Sequence, residues 1–213
     1  MPQTPMADNP LLTIRNMSIS FSSPDEADIE AVRQVDLTLT PGKTLALVGE
    51  SGCGKSVTAR AVLRLLDKNA IIPSGEILFD AGNGAVDIAQ LKPDSVAMRS
   101  IRGAEISMIF QEPMSSLSPV HTIGDQIDEI IILHDRMSPK QARERTIALL
   151  DQVGIPGARD RANAYPFELS GGLRQRAMIA MALACTPKLL IADEPTTALD
   201  VTTQAQILDL LRQ

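Results

Sequence analysis

Gly49-Glu50-Ser51-Gly52-Cys53-Gly54-Lys55-Ser56 fits the pattern G-x-x-x-x-G-K-[ST] at every position. Loops of this kind cradle the phosphates of a nucleoside triphosphate. Each residue type has a use. The glycines allow backbone conformations that aim successive N–H groups at one anion. A helix starting at the end of the loop adds its positive dipole end. Lys55 can reach the β- and γ-phosphates as a point charge, and Ser56 offers a hydroxyl to Mg2+. The bland alternative is an ordinary glycine-rich turn. The flanking pattern disfavours it, because the apolar run Thr44–Val48 reads as a strand before the loop and a helical pattern follows to about Leu66.

A second site of chemistry is Leu189-Leu190-Ile191-Ala192-Asp193-Glu194, an apolar run closed by two carboxylates. Continuous apolar runs of this length suit a strand buried on both faces of a parallel sheet. Acidic groups at the carboxyl end of such a strand stand where these sheets bind ligands. Asp193 could hold Mg2+, directly or through water, and Glu194 could polarise an attacking water as general base. The alternative is a solvated strand end, common in any α/β protein. Pairing with the phosphate loop weighs against it.

These residues need a scaffold, and the rest of the chain supplies one. Leu11–Phe21 alternates apolar and polar residues and reads as a strand, as does Val32–Leu39, closed by Pro41-Gly42. Glu76–Phe79 reads as a further strand, followed by a Gly- and Asn-rich loop over Ala81–Asp87. Ser138-Pro139-Lys140-Gln141 is a capping box with proline at the first helical position, and Ala142, Thr146, Leu149, Leu150 and Val153 follow at helical spacing. Ser170 can cap another helix running to about Ala184, before Pro187. Thr202–Gln213 reads as an amphipathic helix with neither a terminal glycine nor a closing proline. A parallel sheet returns through another strand after such a helix, so the chain reads as incomplete at its C-terminus.

Composition closes off other classes. The chain has 213 residues, 44% hydrophobic and 22% charged, a globular composition of about one to two domains. The longest apolar run, Ala177–Cys185, is far short of the ~20 residues of a membrane span. The start, Met1–Pro10, shows no basic region followed by an apolar stretch, so no secretory signal is visible in it. A net charge of -6 and aromatics at 2% argue against nucleic-acid binding by bulk charge or base stacking. Two cysteines, Cys53 and Cys185, form no disulfide framework, and a reducing cytoplasmic setting is expected.

Leu169-Ser170-Gly171-Gly172-Leu173-Arg174-Gln175-Arg176 is the segment that names a family. With Gly49–Ser56, Gln111 and Asp193–Asp200 in order along essentially the whole chain, it resembles the ATP-binding subunits of ABC transporters. The resemblance implies an α/β P-loop NTPase fold: a RecA-like core with an N-terminal antiparallel β-subdomain, plus an inserted α-helical subdomain. The core would comprise 11–111 and 171–213, and the helical subdomain 112–170, hinged at Gln111. ATP would be bound by Gly49, Glu50, Ser51, Gly52, Cys53, Gly54, Lys55, Ser56 and Val57. Ser170, Gly171, Gly172 and Gln175 would meet the ATP held by an opposite subunit. Gln111 would sense Mg2+ and γ-phosphate and act with Glu194 in catalysis; Ser56, Gln111 and Asp193 would serve the metal. Asp200, in Ala198-Leu199-Asp200, would lie at the dimer interface. Phe21 stands where the family has an aromatic on adenine; a core strand residue is the alternative.

Ile109–Pro119, Tyr165–Gly172 and Asp193–Thr202 are similar to the dipeptide and oligopeptide import branch, with its nickel and glutathione members. Ser118 replaces the usual asparagine and Leu173 the usual methionine or glutamine; neither change removes a catalytic group. The expected function is thus ATP-driven peptide uptake at the cytoplasmic face of a bacterial inner membrane. Expected partners are a second ATPase subunit, identical or paralogous, two transmembrane permeases and, indirectly, a periplasmic solute-binding protein; no nucleic acid is expected. The family's switch histidine lies on a strand beyond Gln213, and neither His121 nor His134 matches it. A truncated, non-hydrolysing remnant and a soluble ABC ATPase for DNA repair or translation are the rival readings.

Overall fold

The computed structural model describes residues 9–22, 27–111, 116–195, 204, 205 and 208. In chain order the elements are β1 (Leu12–Phe21), β2 (Ile29–Leu39), α1 (Lys55–Val62), β3 (Ala70–Phe79), β4 (Val86–Asp87), α2 (Val96–Ile101), β5 (Ile106–Ile109), α3 (Ile123–Asp135), α4 (Pro139–Gln152), α5 (Ala158–Arg161), α6 (Gly171–Ala182) and β6 (Leu189–Ala192). The chain divides into two compact units, 1–99 and 100–213.

The first unit is built on an antiparallel sheet in the order β2-β1-β3-β4. β1 is central, and its alternation puts Leu12, Ile14, Met17 and Ile19 into the core. The step from Ile14 to Met17 breaks the two-residue period. A register shift lies there in both ladders, and Asn16 takes φ +45°. An extra residue in one strand resets which face its side chains occupy. Asn16 N–H, taken out of the ladder, donates to Asp36 Oδ1 at 2.8 Å. Strands β2 and β3 extend beyond the segments legible by alternation, because pairing with β1 recruits residues whose own pattern is weak, such as Ile29 and Ala70, both opposite Phe21. Val86–Asp87, read as loop, adds a short fourth strand against Leu78 and Phe79.

One expected strand does not form. Thr44–Val48 carries no helix or strand. Leu45 and Leu47 are 47% exposed and Val48 94%. A strand exists only where a neighbour accepts and donates its backbone bonds, and among the described residues no strand pairs with this run. The helix expected over Thr202–Gln213 lies almost wholly outside the described residues; Gln204, Ala205 and Leu208 are helical.

In the second unit β5 and β6 pair in parallel, Ile106 opposite Leu189 and Ile109 opposite Ala192. β5 is buried throughout. β6 is less enclosed than its apolar sequence suggests, with Leu189 alone of its residues fully buried, because β5 is the only strand described beside it. Helices α3, α4 and α6 close the core, contributing Ile123, Ile127, Ile131, Leu150 and Met178. The capping box forms as read: Ser138 Oγ accepts from Gln141 N–H, and the Gln141 side chain accepts from Ser138 N–H.

Candidate nucleotide-binding and hydrolysis site

The phosphate loop belongs to the first unit. The chain enters α1 through Gly54, which takes φ +92° and is the N-cap. A Cβ there would stand 2.6 Å from the Ala31 carbonyl oxygen, so both the left-handed backbone and the close approach of β2 require glycine. No side chain caps α1, which leaves the first turn's positive end for an anion. Cys53 N–H donates to the Glu50 carbonyl at 3.3 Å and folds the loop back on itself. Lys55 Nζ donates to the Gly49 and Glu50 carbonyls, each at 2.8 Å, and lies 3.7 Å from Cys53 Sγ. The ammonium thus ties the two ends of the loop together. A phosphate would offer it a charged acceptor in exchange for neutral carbonyls, and charge-assisted bonds are about twice as strong. Ser51, Gly52 and Cys53 are exposed, and Ser56 and Val57 half-buried. The loop therefore fits a polyphosphate: open backbone, one cation held on neutral carbonyls and a hydroxyl at the helix start.

Phe21 ends β1, half-buried, paired with Ile29 and Ala70. Its position at a strand end leaves part of the ring accessible, unlike Ile14 or Ile19 in the same strand.

The carboxylate pair belongs to the second unit. Asp193 N–H donates to the Ile109 carbonyl at 2.9 Å, one step beyond the β5–β6 ladder. The chain then turns at Glu194, whose φ of +48° is left-handed. For a non-glycine residue that conformation costs of order 1–3 kcal/mol and clusters at functional sites. The turn brings the Glu194 carboxylate to Gln111, whose amide Nε2–H donates to Oε2 at 2.9 Å. Gln111 itself lies two residues past the end of β5. Parallel pairing of β5 with β6 therefore delivers two expected site residues, 83 positions apart, to one end of the sheet.

The Ser170 helix start is built as its sequence suggests. Ser170 Oγ accepts from Leu173 N–H at 3.4 Å and caps α6. Ser170 and Gly171 are exposed, and a Cβ on Gly171 would meet nothing within 4 Å. Gln175 departs from these neighbours. It is 1% exposed, and its amide faces the interior, where Nε2 donates to the Pro195 carbonyl at 2.6 Å. A helical turn separates it from Gly171, and the packed side of α6 takes it inward. It does not share the surface on which Ser170 and Gly171 would meet a nucleotide.

Two arginines of the same segment have structural work that spacing did not reveal. Arg174 Nε donates to the Pro166 carbonyl at 2.7 Å, holding the turn before Ser170. Arg176 donates to the Val153 and Gly154 carbonyls at 2.8 and 2.7 Å, satisfying the end of α4. Their backbone partners lie 8 to 23 positions away, beyond any local pattern. Asp200 lies outside the described residues. Among the described residues no group of three or more His, Cys, Asp or Glu is arranged to hold a metal ion. Mg2+ needs no such cage when phosphate oxygens supply most of its ligands. No helix among the described residues is long and apolar enough to cross a membrane.

The sequence profile of the ABC transporter family matches residues 32–197. Among curated proteins, a peptide import ATP-binding protein of Brucella ovis is 54% identical over 210 residues, spanning 98% of this chain and 61% of its own length. The dipeptide transport ATP-binding protein of Bacillus subtilis is 48% identical, over 95% of this chain and 59% of its own. The glutathione import ATP-binding protein of Pectobacterium atrosepticum is 49% identical, over 100% of this chain and 34% of its own. The chain thus spans about three fifths of the length of the peptide import relatives. A solved ATP-binding cassette, a dimer in a post-hydrolysis state bound to ADP and Pi, superposes with a TM-score of 0.82 at 30% identity, covering 94% of this chain and 81% of that one. Its fold is that of a P-loop ATPase cassette, and the profile covers all the site segments discussed except Phe21 and Asp200. The chain belongs to the ABC transporter family.

Proposed function

We propose that this chain is the ATP-binding part of a bacterial ABC importer that couples ATP hydrolysis to uptake of a peptide, dipeptide or glutathione. The relatives named for peptide, dipeptide and glutathione import support the solute class. The observation that carries the enzymatic half is the 2.9 Å hydrogen bond from Gln111 to Glu194. It aims one carboxylate oxygen and holds the base beside Gln111 at the end of the β5–β6 pair.

In this reading the loop Gly49–Gly54, exposed as far as Cys53, wraps the triphosphate with backbone N–H groups, and Lys55 exchanges its two carbonyls for phosphate oxygens. Ser56, Asp193 and Gln111 offer oxygens to Mg2+. The ion, when bound, supplies charge neutralisation to the phosphates. Glu194 accepts a proton from water, and Gln111 keeps that carboxylate oriented. Phe21 offers a ring to the base. Ser170 and the N–H groups of Gly171 and Gly172 present a capped helix start to the γ-phosphate of ATP on a second subunit, with Asp200 at the same interface. Two subunits would close on ATP because the γ-phosphate bonds exist only in the closed state, and hydrolysis would release them. The helical part, 112–170, would pass this motion to two membrane permeases, with a periplasmic binding protein choosing the solute. The subunit would sit on the cytoplasmic face of the inner membrane as a peripheral protein.

The test is Glu194→Gln in the full-length natural subunit. Loss of a general base costs about 10²–10⁴ in rate, so turnover should fall by that factor while ATP binding, followed with a fluorescent analogue, is kept. Turnover at the parent rate sinks the assignment of the base. Co-purification of the native protein with permeases, rather than with ribosomes or DNA, checks the transport half.

A further inference from the structure

We propose that Gln175 is a positioning residue for Glu194, linking the Ser170 helix start to the hydrolytic carboxylate. The inference rests on the ATPase reading above. Gln175 sits one turn inside α6, four residues after Gly171, on the packed side of the helix, and is 1% exposed. Its Nε2–H donates at 2.6 Å to the carbonyl of Pro195, the residue that directly follows Glu194. Glu194 itself is held in a left-handed turn and by Gln111 at 2.9 Å. Its placement is therefore set by what grips the turn on either side: the β5–β6 ladder before it, through Asp193, and Gln175 after it.

The second amide atom adds no hydrogen bond to this grip among the described residues. Gln175 Oε1 is buried and has no hydrogen-bond partner among the described residues. A buried acceptor without a donor is unfavourable, and an unbranched apolar side chain of the same length would avoid it. What the amide adds is direction. It fixes the Pro195 carbonyl relative to the axis of α6, so a shift of that helix is felt at Glu194. A γ-phosphate seated at Ser170–Gly172 would act on the same helix, one turn away. Gln175 thereby makes the geometry of the hydrolytic base depend on whether the helix start is engaged.

Gln175→Met keeps length and volume and removes both polar atoms; Gln175→Leu is a second apolar variant should Met misfold. Both are made in the full-length natural subunit. The parent's ATP turnover is measured first. The expected result for Gln175→Met is a fall in kcat of at least about tenfold, with the dissociation constant for ATP within about twofold of the parent and a melting temperature close to the parent's, because the lost bond to Pro195 and the relieved Oε1 orphan offset each other. The loss should fall on kcat and leave KM for ATP within about twofold, because the carboxylate, not the nucleotide, has lost its fixed setting. An unchanged kcat in a folded variant overturns the inference and leaves the ATPase reading standing. A kcat loss matched by an equal loss of melting temperature or ATP affinity assigns Gln175 a merely structural role and overturns it as well. A parent without turnover removes the ATPase reading, and this inference with it.

Discussion

Two thiols of one chain differ sharply in placement. Cys53 is exposed in the phosphate loop, 3.7 Å from the Lys55 ammonium. Cys185 is half-buried, with its Sγ against the Ile130 carbonyl at 3.8 Å. Burial, and then the Asp135 carboxylate, pushes the Cys185 thiol up from 9.0 to about 11, against the opposing pull of Arg145. The thiolate is the nucleophile, so at pH 7.5 a disulfide reagent such as DTNB should titrate one thiol per chain quickly and the other at least tenfold more slowly. Cys53→Ser should remove the fast phase, and ATP should slow it. Two equal phases in the folded protein would contradict this. The sign for stability follows from the same shift. Between about pH 9 and 11 the native state holds the Cys185 proton more tightly than the unfolded chain does, so this contribution is complete below pH 9 and is lost as pH rises through 11.

The hairpin of α3 and α4 is held by a polar clasp inside an apolar core. Asp128 is buried, and accepts from Thr146 Oγ1 at 2.5 Å and from Arg143 Nε at 2.8 Å. Arg143 also reaches Asp125 at 2.7 Å. Thr146 is fully buried, so its hydroxyl has no water to fall back on. Thr146→Val keeps the shape and leaves an Asp128 oxygen short of a donor, which costs about 1–3 kcal/mol. In a chain of this size each kcal/mol lowers the melting temperature by roughly 2–4 °C. A thermal melt should show that fall, and an unchanged melt would mean the clasp contributes nothing. The sequence placed Thr146 on the apolar stripe of α4 without showing why a hydroxyl stands there. The reason is a carboxylate 18 residues earlier, which helical periodicity cannot reveal.

At the scale of the whole molecule, the phosphate loop belongs to one unit, and the carboxylate pair and Ser170 helix start to the other. In the proposed mechanism neither half works until a second copy supplies its Ser170 segment. Ser170→Arg places a bulky cation at an exposed helix cap. It should abolish ATP-dependent dimerisation, read by size-exclusion chromatography in a Glu194→Gln background that retains ATP, with no loss of monomer stability beyond the ~1 kcal/mol of a helix cap. Dimerisation equal to that of the background protein would count against the two-subunit sandwich.

The sequence by itself determined the local devices and the chemistry. The helix after the phosphate loop, the capping box at Ser138 and the Ser170 cap all depend on residues within a few positions of one another, and these form as read. The motifs also carried the family, because their order along the chain is itself sequence information. Only the tertiary structure decided what depends on partners far away. Pairing of β5 with β6 brought Gln111 to Glu194. The packed side of α6 turned Gln175 inward to Pro195, where motif resemblance had placed it with the exposed residues. Thr44–Val48 has a strand's composition, yet composition supplies no hydrogen-bonding neighbour, and among the described residues none pairs with it. The physical division is one of range: caps and loops satisfy their own polar groups locally, whereas strands and buried amides need groups that only the folded chain brings within reach.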